Sequence, residues 1–141
     1  MDRILDLKNL FIVTGFTAFF FFLQSIVPPE YTILTTGWDL SADGQFVLKC
    51  AGFSMLTQAY FAWMFRNERH IVIAKGLALT QFAIGNLNWI MFLLLRDEGI
   101  FSTGTQVKVF IMFTTVMHNV LGILLVLGIR KANKNPRVRE G

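Results

Sequence analysis

The chain has 141 residues, of which 54% are hydrophobic and 16% charged, with fifteen phenylalanines, one cysteine and a formal net charge of +4. Ordinary soluble domains carry roughly 25% charged residues, and a soluble domain this short has too little interior to hide so much apolar surface. The composition therefore points to one membrane domain with no room in these residues for a soluble catalytic one. The lone Cys50 excludes an intramolecular disulfide and leaves the compartment open.

A helix crossing the hydrocarbon core needs about 20 residues at a rise of about 1.5 Å each. Four stretches meet this length, at residues 10–27, 46–65, 71–95 and 109–129, and the only charges within them are Lys49 and Lys75, each near an end. The expected architecture is an all-α, integral membrane, antiparallel four-helix bundle. The first stretch is too long for the apolar part of a cleavable signal and ends in Pro28-Pro29-Glu30, so it is expected to persist as span one.

In span one, Thr14, Thr17, Phe21 and Gln24 share a face at about 100° per residue. Pro28 and Pro29 lack backbone donors and should end that helix. Residues 28–45 are expected to lie at the outer surface as a turn or brief interfacial helix. Tyr31 and Trp38 suit the lipid–water boundary there, Asp43-Gly44 is turn-like, and Ser41 is a candidate helix cap. Span two carries Gly52, Leu56, Ala59 and Trp63 on one face and Ala51, Ser54 and Gln58 on another, while Lys49 is near enough to the outer end to snorkel. The short basic turn at 66–70 should bring spans two and three together as antiparallel neighbours. Span three gathers Ala74, Ala78, Gln81, Gly85 and Asn88 on one stripe, with Asn86 pointing to a different neighbour; span four gathers Thr115, His118, Asn119 and Gly122, with Thr114 beside them. Residues 19–22, all phenylalanine, read as lipid-facing and packing surface.

If the spans alternate, ten of the thirteen Lys and Arg residues fall on one side and only Lys49, Arg96 and Lys108 on the other. Such a bias places both termini in the cytoplasm. The tail carries Arg130, Lys131, Lys134, Arg137 and Arg139, which anchor this topology and are candidates for contact with anionic lipid heads. The expected surroundings are thus the bilayer and either another membrane protein or a second copy. Nucleic acid is not expected, because the basic residues have no interleaved aromatic platform.

Gln58, Gln81, Asn88, His118 and Asn119 are the candidate site residues. Unpaired polar side chains are costly in hydrocarbon, so they should turn inward. Two readings stand open: interhelical glue, or a pocket for a lipid-soluble ligand with His118 as its most versatile group. Two separated histidines and one cysteine make no metal site, and His70 in the inner turn cannot face His118 across a haem. No cofactor is expected.

The chain resembles the DoxX-like superfamily of small four-span membrane proteins. The resemblance rests on the Gly-containing first span closed by Pro28, the Gly37 loop, Lys49-Cys50-Ala51-Gly52 opening span two, the basic turn from Arg66 to Arg69, and Arg96-Asp97-Glu98-Gly99 closing span three. It implies an accessory or scaffold role, since some members accompany membrane oxidoreductases, and it supplies no catalytic residues. Two further four-span families share the architecture. Leu23-Gln24-Ser25 is similar to sterol-biosynthesis scaffolds. Asn67-Glu68-Arg69 is similar to a motif of glutathione-linked membrane enzymes, but here it sits in a turn.

Overall fold

The computed structural model describes residues 4–95, 97–98 and 105–134, and their regular structure is helical. The helices are α1 (Leu7–Ile26), α2 (Pro29–Thr36), α3 (Ala42–Phe65), α4 (Ile71–Leu95) and α5 (Thr105–Lys134). Most reach beyond the apolar stretches because their caps lie outside them. Asp6 accepts a hydrogen bond from the Lys8 backbone N–H at 2.9 Å and so starts α1 three residues early. Ser41 does the same for α3, accepting from the Gly44 N–H at 3.3 Å. Asp43-Gly44 therefore belongs to the first turn of α3 and not to a separate turn.

Pro28 and Pro29 end α1 as expected, but Pro29 also opens α2, where a missing N–H is harmless. Gly37 stops α2 in a left-handed conformation, φ 75°, with its N–H donating to the Ile33 carbonyl at 2.8 Å. The segment 28–45 is thus a short helix, a five-residue link and the start of α3.

Three helices, α1, α4 and α5, are long and apolar enough to cross a membrane. The fourth expected span lies on α3, which has 24 residues but falls short in apolarity. Asp43, Gln45, Lys49, Ser54, Thr57 and Gln58 dilute it.

Packing departs from chain order. Helix α1 lies chiefly on α3, and α4 chiefly on α5; α3 and α4, although joined by the short turn, touch only lightly. Local close approach outweighs loop length here. A Cβ on Gly52 would stand 1.6 Å from Ser25 Oγ and 2.6 Å from Ser25 Cβ, so α1 occupies the space a side chain would need. A Cβ on Gly85 would stand 3.2 Å from both His118 Cβ and the Thr115 carbonyl oxygen, which brings α5 onto α4 in the same way.

The apolar core joins the start of α1 (Leu7, Leu10, Phe11), the end of α3 (Ala62), the start of α4 (Ala74, Leu77, Ala78) and the end of α5 (Leu121, Leu125, Ile129). An ion pair closes this end, with Arg69 Nη2 3.1 Å from Asp6 Oδ2. The pair is partly exposed and contributes about 0–1 kcal/mol. Large apolar side chains cover the outside: Phe20, Phe46, Leu79 and Leu94 are each more than 60% exposed. That surface suits lipid and would aggregate in water. Within the phenylalanine run, Phe19 and Phe20 face outward while Phe21 turns in.

Gly52→Ala should destabilise the protein by about 1–3 kcal/mol through overpacking against α1. Adding Ser25→Gly should restore part of the loss, as read from denaturant unfolding in mixed micelles.

Candidate functional site

The second half of the molecule is built differently, from buried polar groups and a cavity. Gln81 of α4 and His118 of α5 are 1% and 2% exposed, and Gln81 Oε1 lies 2.6 Å from His118 Nδ1. A carboxamide oxygen can only accept, so in this arrangement Nδ1 carries the proton and Nε2 keeps a lone pair. Gly85, one turn beyond Gln81, makes the pair possible by admitting the α5 backbone. The Phe21 ring covers the imidazole at a centroid distance of 5.2 Å.

Asn119 is occupied elsewhere. Its Oδ1 accepts from Asn86 Nδ2 at 3.2 Å, and its own Nδ2 donates to the Thr115 carbonyl at 2.9 Å. Asn86, expected to face a different neighbour, is therefore part of the α4–α5 contact. Gln58 is half-buried on α3, and its Nε2 has no partner among the described residues.

Next to His118 lies a cavity of about 120 Å³ to which all five helices contribute. Phe21, Gln24 and Ser25 come from α1, Thr32 and Thr36 from α2, and Leu48, Ala51, Gly52 and Met55 from α3. Ile84 and Asn88 of α4, Phe110 and His118 of α5, and Trp38 from the link complete the wall. The five sequence candidates therefore separate: Asn88 and His118 line the cavity, Gln81 holds His118 from behind, and Gln58 and Asn119 stand outside it. Of the two open readings, a pocket would gather these residues on one space, and only Asn88 and His118 line it. Most are paired between helices, and the cavity is displaced toward α2.

Sequence reasoning did not select Gln24, Thr32, Thr36 and Trp38 as site residues. Gln24 was visible on the polar stripe of span one. Thr32 and Thr36, four residues apart after a Pro-Pro pair, are a weak sign of a short helix with one polar face.

Three of these residues carry buried polar atoms without partners among the described residues: Gln24 Oε1, Thr32 Oγ1 and Trp38 Nε1. Neighbouring bonds determine the orientation of Gln24. Thr35 Oγ1 donates to the Tyr31 carbonyl at 2.7 Å, so it can only accept from Gln24 Nε2, 3.3 Å away. Gln24 Oε1 is therefore the free end, and it is an acceptor only. Thr36 is already engaged, donating to the Thr32 carbonyl at 2.7 Å and accepting from the Trp38 backbone N–H at 3.1 Å.

At the opposite end, Arg130 and Lys134 are exposed on the last turns of α5, and Lys131 shares a hollow with Asp6 and Arg69. Arg137 and Arg139, the other lipid-contact candidates, lie outside the described residues. No protein-family model, curated protein or solved structure matches the chain.

Gln81→Leu and His118→Leu should each destabilise the protein by about 1–3 kcal/mol, because each strands a buried polar partner. The double variant should lose less than the sum, with a coupling of about 0.6–1.7 kcal/mol in a mixed-micelle unfolding cycle.

Proposed function

We propose that the chain is a four-span antiparallel membrane bundle with cytoplasmic termini, and that it binds one lipid-soluble small molecule in the cavity beside His118. The topology is supported by the core, which gathers helix starts from α1 and α4 with helix ends from α3 and α5. Helix α3 is long enough, about 36 Å at about 1.5 Å per residue, and its exposed Lys49 lies within reach of the outer interface. The ten-to-three distribution of basic residues orients the bundle. Single cysteines introduced at Glu68 or Asp43 into a Cys50→Ser background test this. A membrane-impermeant thiol reagent should reach Asp43→Cys from outside and Glu68→Cys only after the membrane is opened; the reverse pattern would overturn the orientation.

The observation that carries the binding reading is a mainly apolar cavity walled by all five helices, with the polar side chains of His118 and Asn88 in its lining. The lining offers recognition and one imidazole lone pair.

A second reading has its own support. Asn86 is exposed on α4, and its side-chain hydrogen bonds among the described residues use Nδ2, which leaves a polar oxygen on a surface that suits lipid. A partner helix would cover it, which agrees with the accessory role implied by the DoxX-like resemblance.

Native mass spectrometry of protein extracted gently from its own membrane separates the two. Binding predicts one retained small molecule per chain, lost in Ala51→Leu, which fills the cavity from its α3 wall. An accessory role predicts a co-purifying membrane protein or a dimer, weakened by Asn86→Leu, with no small molecule retained.

A further inference from the structure

The end of the bundle where most basic residues gather has a hollow of its own, about 200 Å³ in volume and separate from the cavity beside His118. Asp6 and its two neighbouring leucines, Arg69 of the α3–α4 turn, and Gly128 and Lys131 of α5 form its wall. We infer that this hollow binds the phosphate of one membrane lipid, held by Arg69 and Lys131. The inference is independent of the binding reading above and concerns a different site.

Packing brings the charges together. A Cβ on Gly128 would stand 3.1 Å from Leu7 Cδ2 and 3.2 Å from the Leu5 carbonyl oxygen, so α5 is pressed onto the residues that open α1. Lys131 follows Gly128 by three positions and lies over the same face of α5, one turn nearer its end. Asp6 sits between the two leucines, and Arg69 Nη2 reaches its Oδ2 at 3.1 Å. Helix α5 has 30 residues, about 45 Å at about 1.5 Å each, against a hydrocarbon core of about 30 Å, so its last turns emerge at head-group depth.

Charge selects the ligand. Two cations against one carboxylate leave the hollow with a net positive charge, which a lipid phosphodiester balances. Asp6 is already engaged at both oxygens: Oδ1 accepts the Lys8 backbone N–H at 2.9 Å, and Oδ2 accepts from Arg69. It therefore aims the guanidinium, whose five donors are not exhausted by one nitrogen's contact with Asp6. The side chains of Arg69 and Asp6 are 37% and 34% exposed, so an incoming head can touch them. An apolar cavity of roughly 150 Å³ holds benzene, so about 200 Å³ has room for a tetrahedral phosphate. Basic hollows between membrane helices suit lipid head phosphates.

The backbone adds a separate observation. Arg69 has φ 52°, the left-handed region that favours glycine, and its N–H donates to the Phe65 carbonyl at 3.1 Å to close α3. Glycine would close the helix there without strain, but it would bring no guanidinium to the hollow.

The test is native mass spectrometry of the full chain in a non-ionic detergent. It is titrated with dioctanoyl phosphatidylglycerol, dioctanoyl phosphatidylethanolamine, dioctanoylglycerol and inorganic phosphate. The expected result is one phosphatidylglycerol per chain, held about tenfold more tightly than dioctanoylglycerol. Arg69→Gly, which suits the backbone while removing the guanidinium, and Lys131→Met should each weaken that binding about fivefold. Arg130→Gln with Lys134→Gln removes two exposed charges from the same helix end and should change it less than about twofold. Ala51→Leu, in the other cavity, should leave it unchanged. A loss in Arg130→Gln with Lys134→Gln as large as in Arg69→Gly would overturn the site in favour of diffuse attraction, and a loss in Ala51→Leu would move the lipid to the other cavity. Equal binding of dioctanoylglycerol would overturn the phosphate. Inorganic phosphate binding as tightly as phosphatidylglycerol would overturn the lipid as its source. Preference for phosphatidylethanolamine that disappears in Asp6→Asn would overturn the anion and assign a zwitterionic head.

Discussion

Helix α1 occupies the position where a side chain on Gly52 would stand, and α5 crowds Gly85 less severely, its nearest atom 2.8 Å from where a Cβ would be. Close approach of this kind matters more in lipid than in water. Apolar side chains gain little there by leaving the solvent, so van der Waals contact and interhelical hydrogen bonds must hold helices together. The result is two tight pairs, α1 with α3 and α4 with α5. The seam between the pairs is looser, because fewer contacts cross it.

That seam has two halves with different chemistry. Toward the chain termini it closes on the apolar side chains of Leu10, Phe11, Leu77 and Leu125. Toward α2 it holds Gln81 and His118, and then opens into the cavity roofed by Thr32, Thr36 and Trp38. Small residues set both features: Gly52 lets α1 close onto α3, and Ala51 beside it presents only a methyl group to the cavity. A site built this way is held by helices and depends little on loops, which favours a fixed shape.

Much of the fold was legible from residue types alone. Length and apolarity marked α1, α4 and α5; Pro28-Pro29, Ser41 and Gly37 marked the boundaries between α1 and α3. On the stripe Ala74, Ala78, Gln81, Gly85 and Asn88, the first four are buried and Asn88 is half-buried at the cavity. Helix pairing was not legible, because a short turn between α3 and α4 suggests neighbours while the close contact at Gly52 depends on a residue 27 positions away, Ser25. The site was legible only in part. His118 stands out as a lone ionisable group at mid-span, but its partner and the cavity depend on which helices meet. Gln24, Thr32 and Trp38 become a site only after α2 folds over the seam.

The central claim is that the seam between the two pairs holds a molecule that is neither lipid tail nor water. A density map of the full chain in a bilayer disc, prepared without stripping its native lipids, tests this most directly. The account predicts one compact feature larger than a water between Phe21, Trp38 and His118, with the α1–α3 and α4–α5 contacts unchanged. A seam closed by direct packing of Phe21 and Met55 onto Phe110, or one holding only separate waters, would contradict it.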